Sequence, residues 1–323
     1  MNTRSRGIPR YRPFAGPVVF RQGFRPFFLG AGLWSVVAMA LWLPAFRGYF
    51  WLPTAFDPIV WHGHEMIFGV AAAAIAGFML TAIPNWTGRM PLQGAPLIML
   101  FAVWVLGRAA ILVSGLIGPG VAAALDLAFL TLLFAIVLRE IVSGRNWRNL
   151  PMPVALVGLI GGNLLTHLEA AADSPTGFLG LRLGVAVAVL LIGTVGGRII
   201  PSFTRNWLNK RGETEMPASA GRFDRVSMGV LLAAVAGWTV APEHSISGAL
   251  LLLAGVVTLA RLCRWRGHRT LSDPLVWSLH LGFAWLPVGL LLVGLAAFVR
   301  DVPPTAGLHA LTVGAIGSRR SRS

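Results

Sequence analysis

The chain alternates between long apolar runs and short polar connections that carry arginine. Apolar stretches occupy 26–46, 59–83, 95–113, 119–138, 152–172, 178–200, 226–241, 246–263 and 275–299, and a tenth starts near 305 and stops at Gly317. At about 1.5 Å rise per residue, roughly 20 residues cross a hydrocarbon core. Most runs meet that length; the seventh and eighth are short and call for little tilt or a thinned bilayer. Proline opens or closes several of them (Pro26, Pro44, Pro84, Pro201, Pro274), as at helix boundaries. The pattern predicts an all-α fold: a polytopic transmembrane helix bundle with about nine complete spans and a partial tenth. One transmembrane domain, 26–317, is expected between a basic segment, 1–25, and an aberrant basic tail, 318–323. The longest connection, about 201–225, is too short to bury a core of its own.

Composition agrees. Hydrophobic residues make up 55% of the chain and charged residues 12%, with a mean hydropathy of +0.71. A soluble chain carries about 25% charged residues. The first 25 residues hold six arginines and lead into a run of full span length, so no cleaved leader is expected. The net charge of +15 does not indicate nucleic acid, because the arginines lie between apolar runs and not on one domain. With the N-terminus inside, 23 basic residues fall on the cytoplasmic side. Only Arg47, Arg182 and Arg300 fall outside, and Arg108 lies within a span. That asymmetry predicts a cytoplasmic N-terminus and a multi-pass protein of a cytoplasmic membrane. The single cysteine, Cys263, excludes an internal disulfide and a cysteine-based metal cluster within one chain.

Ionisable groups at membrane depth cost roughly 2.5–3.5 kcal/mol on insertion scales, so each one invites a reason. His62, His64 and Glu65 open the second run, within about 10 Å of the outer face in this orientation. His167 and Glu169 approach the same face, and His309 opens the tenth run there. His280 sits about 8 Å inside the cytoplasmic end of the ninth run, away from the others. Imidazole is the commonest protein ligand for metals, which makes these histidines candidate ligands. His62 and Glu65 share a helix face, while His64 points about 200° away. Both histidines can hold one ion only if the first turn is irregular, which Gly63 permits. Glu65 would then accept the spare N–H of His62. The competing reading places Trp61 and both histidines at headgroup level, and makes His280 a neutral ring bonded to a backbone carbonyl. Arg89 and Arg198, at cytoplasmic helix ends, suit a carboxylate or a haem propionate, or snorkel to lipid headgroups. Arg108 is deeper, with Asp126 as its expected structural partner.

At these residues the chain resembles the NnrS proteins of bacteria. The matching stretches are FRPFFLGAGLW (24–34), WHGHEMIFGVAAAAIAGFMLTAIPNWTGR (61–89), WRNLP (147–151), GGRIIPSFTRN (196–206), WSLHLGFAWLPVGL (277–290) and LHALTVGAIG (308–317). The resemblance implies a polytopic membrane protein carrying haem and copper, linked to denitrification and to nitric oxide resistance, in the inner membrane. It places His62, His64, His280 and His309 in the family's histidine motifs. Family members look longer, with about twelve helices, and SRRSRS stands here where they continue. This implies a truncated or frameshifted product.

The expected function is thus protection against nitric oxide by a haem- and copper-associated protein. His280 or His309 would be the axial haem ligand, with Arg89 and Arg198 as cofactor-binding groups. Copper would sit with His62 and His64, and Glu65 behind them. Nitric oxide partitions into lipid, so no polar channel is required. Two alternatives stand beside it. One is a membrane oxidoreductase acting on nitric oxide, which needs at least four or five converging ligands. The other is a transporter for a small ion or metal, for which no clear inverted repeat is visible.

Overall fold

In hydrocarbon every backbone polar group must be satisfied, which leaves the helix as the form these apolar runs can take. The computed structural model describes residues 16–172 and 178–314, with no strand among the described residues. Most of the basic N-terminal segment and all of the 318–323 tail lie outside them. Nine described helices are long and apolar enough to cross a membrane. They are α1 (Phe24–Phe46), α2 (Pro58–Thr87), α3 (Ala95–Leu112), α4 (Pro119–Ser143), α5 (Pro151–Ala171), α6 (Leu179–Lys210), α7 (Arg222–Val240), α8 (Ser245–Cys263) and α9 (Pro274–Ala296). A short α10 (Pro304–His309) runs into a π-helical turn, Ala310–Gly314.

Helix starts are written in the sequence. Asp57 and Asp273 each precede a proline at the first helical position, and each side chain caps the backbone N–H groups that follow. Helix ends are less legible. α2 passes Pro84 and stops only at Gly88, which takes a left-handed φ of 71°. α6 passes Pro201 and continues to Lys210, so 201–210 is helix and not connection. Its continuation is amphipathic: Ile200, Thr204 and Leu208, spaced by four, are all buried. Proline costs one hydrogen bond there but does not break a helix that packing holds.

The chain divides into two compact units between Gly184 and Val185. In the first, α1 packs on α2, α4 packs on α3 and α5, and α2 meets α4. In the second, α8 packs on both α7 and α9, and α9 carries α10 with its π-helical turn. The middle of α2 buries small side chains. Ala71, Ala72, Ala73 and Ala76 of α2 are buried, whereas Leu29, Leu33 and Val36 of α1 are exposed. Small residues let membrane helices approach closely. This is a multi-pass membrane protein.

Candidate metal centre

α2 changes its winding in the middle. Pro58–His64 is α-helical, Glu65–Ala71 is π-helical, and Ala72–Thr87 is α-helical again. A π-turn is wider than an α-turn and recurs at functional sites. Here it starts beside two fully buried polar residues, His64 and Glu65. Gly69 closes the same turn, and a Cβ there would stand 3.0 Å from both Arg108 Nη1 and Glu65 Oε2. Gly107 of α3 does the same for α4, since its Cβ would lie 3.2 Å from the Asp126 backbone.

Five helices of the first unit then converge. The Nδ1 of His64 lies 3.0 Å from Glu65 Oε1. Its Nε2 lies 3.1 Å from Asp126 Oδ2 and 2.9 Å from Asn163 Oδ1. His167 Nε2 meets the same Asp126 Oδ2 at 3.1 Å, and Asn163 Nδ2 donates to it at 2.8 Å. Asn163 and His167 are four apart on α5, hence on one face. Arg108 donates from Nη1 to Glu65 Oε1 at 2.7 Å and from Nη2 to Asp126 Oδ1. From α1, Trp34 Nε1 donates to Glu65 Oε2. One nitrogen of His64, one of His167 and one Asp126 oxygen lie within 4.8 Å of one another.

The charges do not cancel by themselves. Glu65 and Asp126 oppose the single guanidinium of Arg108, which leaves one negative charge in a buried place. Both His64 nitrogens face oxygen acceptors, so a proton on each lets the ring bridge the two carboxylates. A metal ion at Nε2 serves as well, and Nδ1–H still donates to Glu65. That is how outer carboxylates orient metal-binding histidines. Two imidazoles and a carboxylate suit copper, zinc or iron.

The other residues singled out by sequence go elsewhere. His62 is not in this group: its ring stacks on Trp42 with centroids 4.2 Å apart. Glu65 therefore meets His64 and not His62, and the irregular turn lies after Gly63. Gly63 instead admits Leu181, whose Cδ1 would be 2.8 Å from a Cβ there. Arg89 is half exposed and ion-paired with Glu140. Arg198 is exposed on α6. In the second unit His280 is buried, its Nε2 2.8 Å from Thr204 Oγ1. That hydroxyl already donates to Ile200 O, so His280 Nε2–H donates and Nδ1 keeps a lone pair with no partner. The backbone of Gly267 covers it, since a Cβ there would lie 2.6 Å from Nδ1. His309 is exposed, and its Nδ1 donates to Thr305 O at 2.7 Å. Sequence reasoning paired Arg108 with Asp126 but took no notice of Asn163. Its signal was there: an amide four residues before His167 in an apolar helix.

Fold and site together define an all-α, multi-pass membrane protein with a buried, charged donor cluster near one end of its first unit. A family model described as NnrS protein matches residues 18–319, nearly the whole chain, and the chain belongs to the NnrS family. No curated protein and no solved structure matches it.

Proposed function

We propose that this NnrS-family protein holds copper and haem in a bacterial inner membrane and protects against nitric oxide by binding it. The observation that carries the reading is the buried set of His64, His167 and Asp126. A structural ion pair between α3 and α4 needs only Arg108 and Asp126. Two imidazoles aimed at one oxygen of that carboxylate exceed this need, and their desolvation is costly without a ligand. A metal ion there would be held by two histidine nitrogens and one oxygen, with Glu65 fixing the His64 ring and Asn163 steadying Asp126.

The haem half rests on His309. Its Nδ1–H is engaged by the Thr305 carbonyl, which puts the neutral ring's lone pair on Nε2, the form an axial ligand requires. His280 has a suitable lone pair but not the clearance, because Gly267 covers Nδ1 and Thr204 covers Nε2. Arg198, exposed on α6 of the same unit, is the group proposed for a propionate; Arg89 is ion-paired with Glu140. When bound, haem iron would supply the open coordination position for a diatomic gas and copper a second redox-active metal.

Metal and haem contents of the purified protein test the reading, recorded separately for each variant. His64→Ala and His167→Ala should lose copper and keep haem, and His309→Ala should do the reverse. A wild type holding neither would falsify it.

A further inference from the structure

The donor cluster is buried but not sealed on every side. A pocket of about 210 Å³ opens where the connection between α1 and α2 meets the turn before α4 and the last turn of α5. Exposure falls along it: Ala55 and Ala171 at the mouth are exposed, Ala170 is half buried, and Ala122 and His167 are buried. His167 is the one member of the three-donor set that lines it. His64 and Asp126 are 0% and 1% exposed, against 7% for His167. Phe56 stands between, its ring centroid 5.1 Å from that of His64 and 5.3 Å from that of His167.

The mouth is built, not loose. Ala55 N donates to Ser114 Oγ at 2.8 Å, and Gly115 N donates to Pro53 O at 3.0 Å. These bonds tie the connection to the short turn between α3 and α4. At about 30 Å³ per water the volume holds several waters or a partly hydrated ion. It is far too small for a porphyrin. Arg89, Arg139, Arg145 and Arg148 all belong to the opposite end of this unit, so the charge asymmetry puts the mouth on the outer face.

We propose that this pocket is the port through which a single transition-metal ion enters and leaves the three-donor site from the outer face, passing Phe56 and meeting His167 first. The proposal rests on the metal reading above and adds a route and a side. Copper-loaded protein in right-side-out and in inverted vesicles, challenged with a membrane-impermeant copper chelator, tests it. Extraction should proceed from the right-side-out vesicles. Ala170→Phe should slow it at least tenfold at unchanged copper stoichiometry, and Phe56→Ala should speed it. Should Ala170→Phe not fold, a bulky maleimide on Ala55→Cys in a Cys263→Ser background plugs the mouth after folding. Equal rates for plugged and open protein, or extraction from inverted vesicles alone, overturns the port and leaves the metal site standing. A wild type that binds no copper overturns both.

Discussion

Arg108 is the guanidinium that joins the two buried carboxylates of the first unit. It is 2% exposed, holds both carboxylates, and leaves its own Nε without a partner. Removing one member of a buried ionic network strands the rest, which costs about 3–5 kcal/mol. Arg108→Met should therefore lower the thermal midpoint of the purified protein by many degrees, read by fluorescence-detected size exclusion. An unchanged midpoint would show that the cluster does not need its cation. The pairing of Arg108 with Asp126 was legible because opposite charges in adjacent apolar runs have few other places to go. The fate of the two histidines was half legible. Their angular separation on a helix already keeps them apart, and the structure sends His62 to Trp42 and His64 to Asp126. Which of them Glu65 would meet was not legible, because nothing in EMIFGVA marks a π-turn in advance.

Among the elements, α6 shows what a glycine pair in a membrane helix can be for. Adjacent glycines let a neighbour approach a membrane helix closely, and Gly196 and Gly197 each have their own task. Gly196 faces Phe283, whose ring would lie 2.7 Å from a Cβ. Gly197 seats the guanidinium of Arg261, which a Cβ would strike directly. Arg261 is buried, donates to Asp224 Oδ1 and Gly193 O at 2.9 Å each, and lies over the Trp265 ring. Overpacking a filled site costs about 1–3 kcal/mol, and here it also presses on a buried ion pair. Gly197→Ala should lower thermal stability clearly, while Gly229→Ala, with open space around it, should leave it unchanged or raise it. Equal midpoints for the two variants would count against this seating. Helix cores were legible from hydropathy, which averages over many residues. The end of α6 was not, because Pro201 looks like a stop while the burial of Thr204 and Leu208 is a tertiary fact.

At the scale of the whole molecule, two averages carry the fold: apolar length and the distribution of arginine. Both survive local errors of reading, which is why the nine long helices fall where the apolar runs do. The same averages make a prediction about sidedness. A reporter that fluoresces only in the cytoplasm should be active when inserted at Gly212, and a phosphatase that folds only outside should be active at Gly48. Activity in the reverse pattern would invert the port as well. The site, by contrast, depends on individual contacts across five helices and is nearly invisible to any average.

The widened turn at Glu65–Ala71 bears on how such a chain can diverge. A π-turn holds one residue more than the α-turns around it, so loss of one residue there would let α2 close into ordinary winding with the segments on either side still facing as they do. His64 and the alanine-lined scaffold beyond would both keep their places, and the change would fall on the turn itself, where Glu65 and Gly69 meet Arg108. A sister lineage can thus shed the widened turn in a single deletion and keep a sound membrane protein, and its signature would be a one-residue gap opposite 65–71.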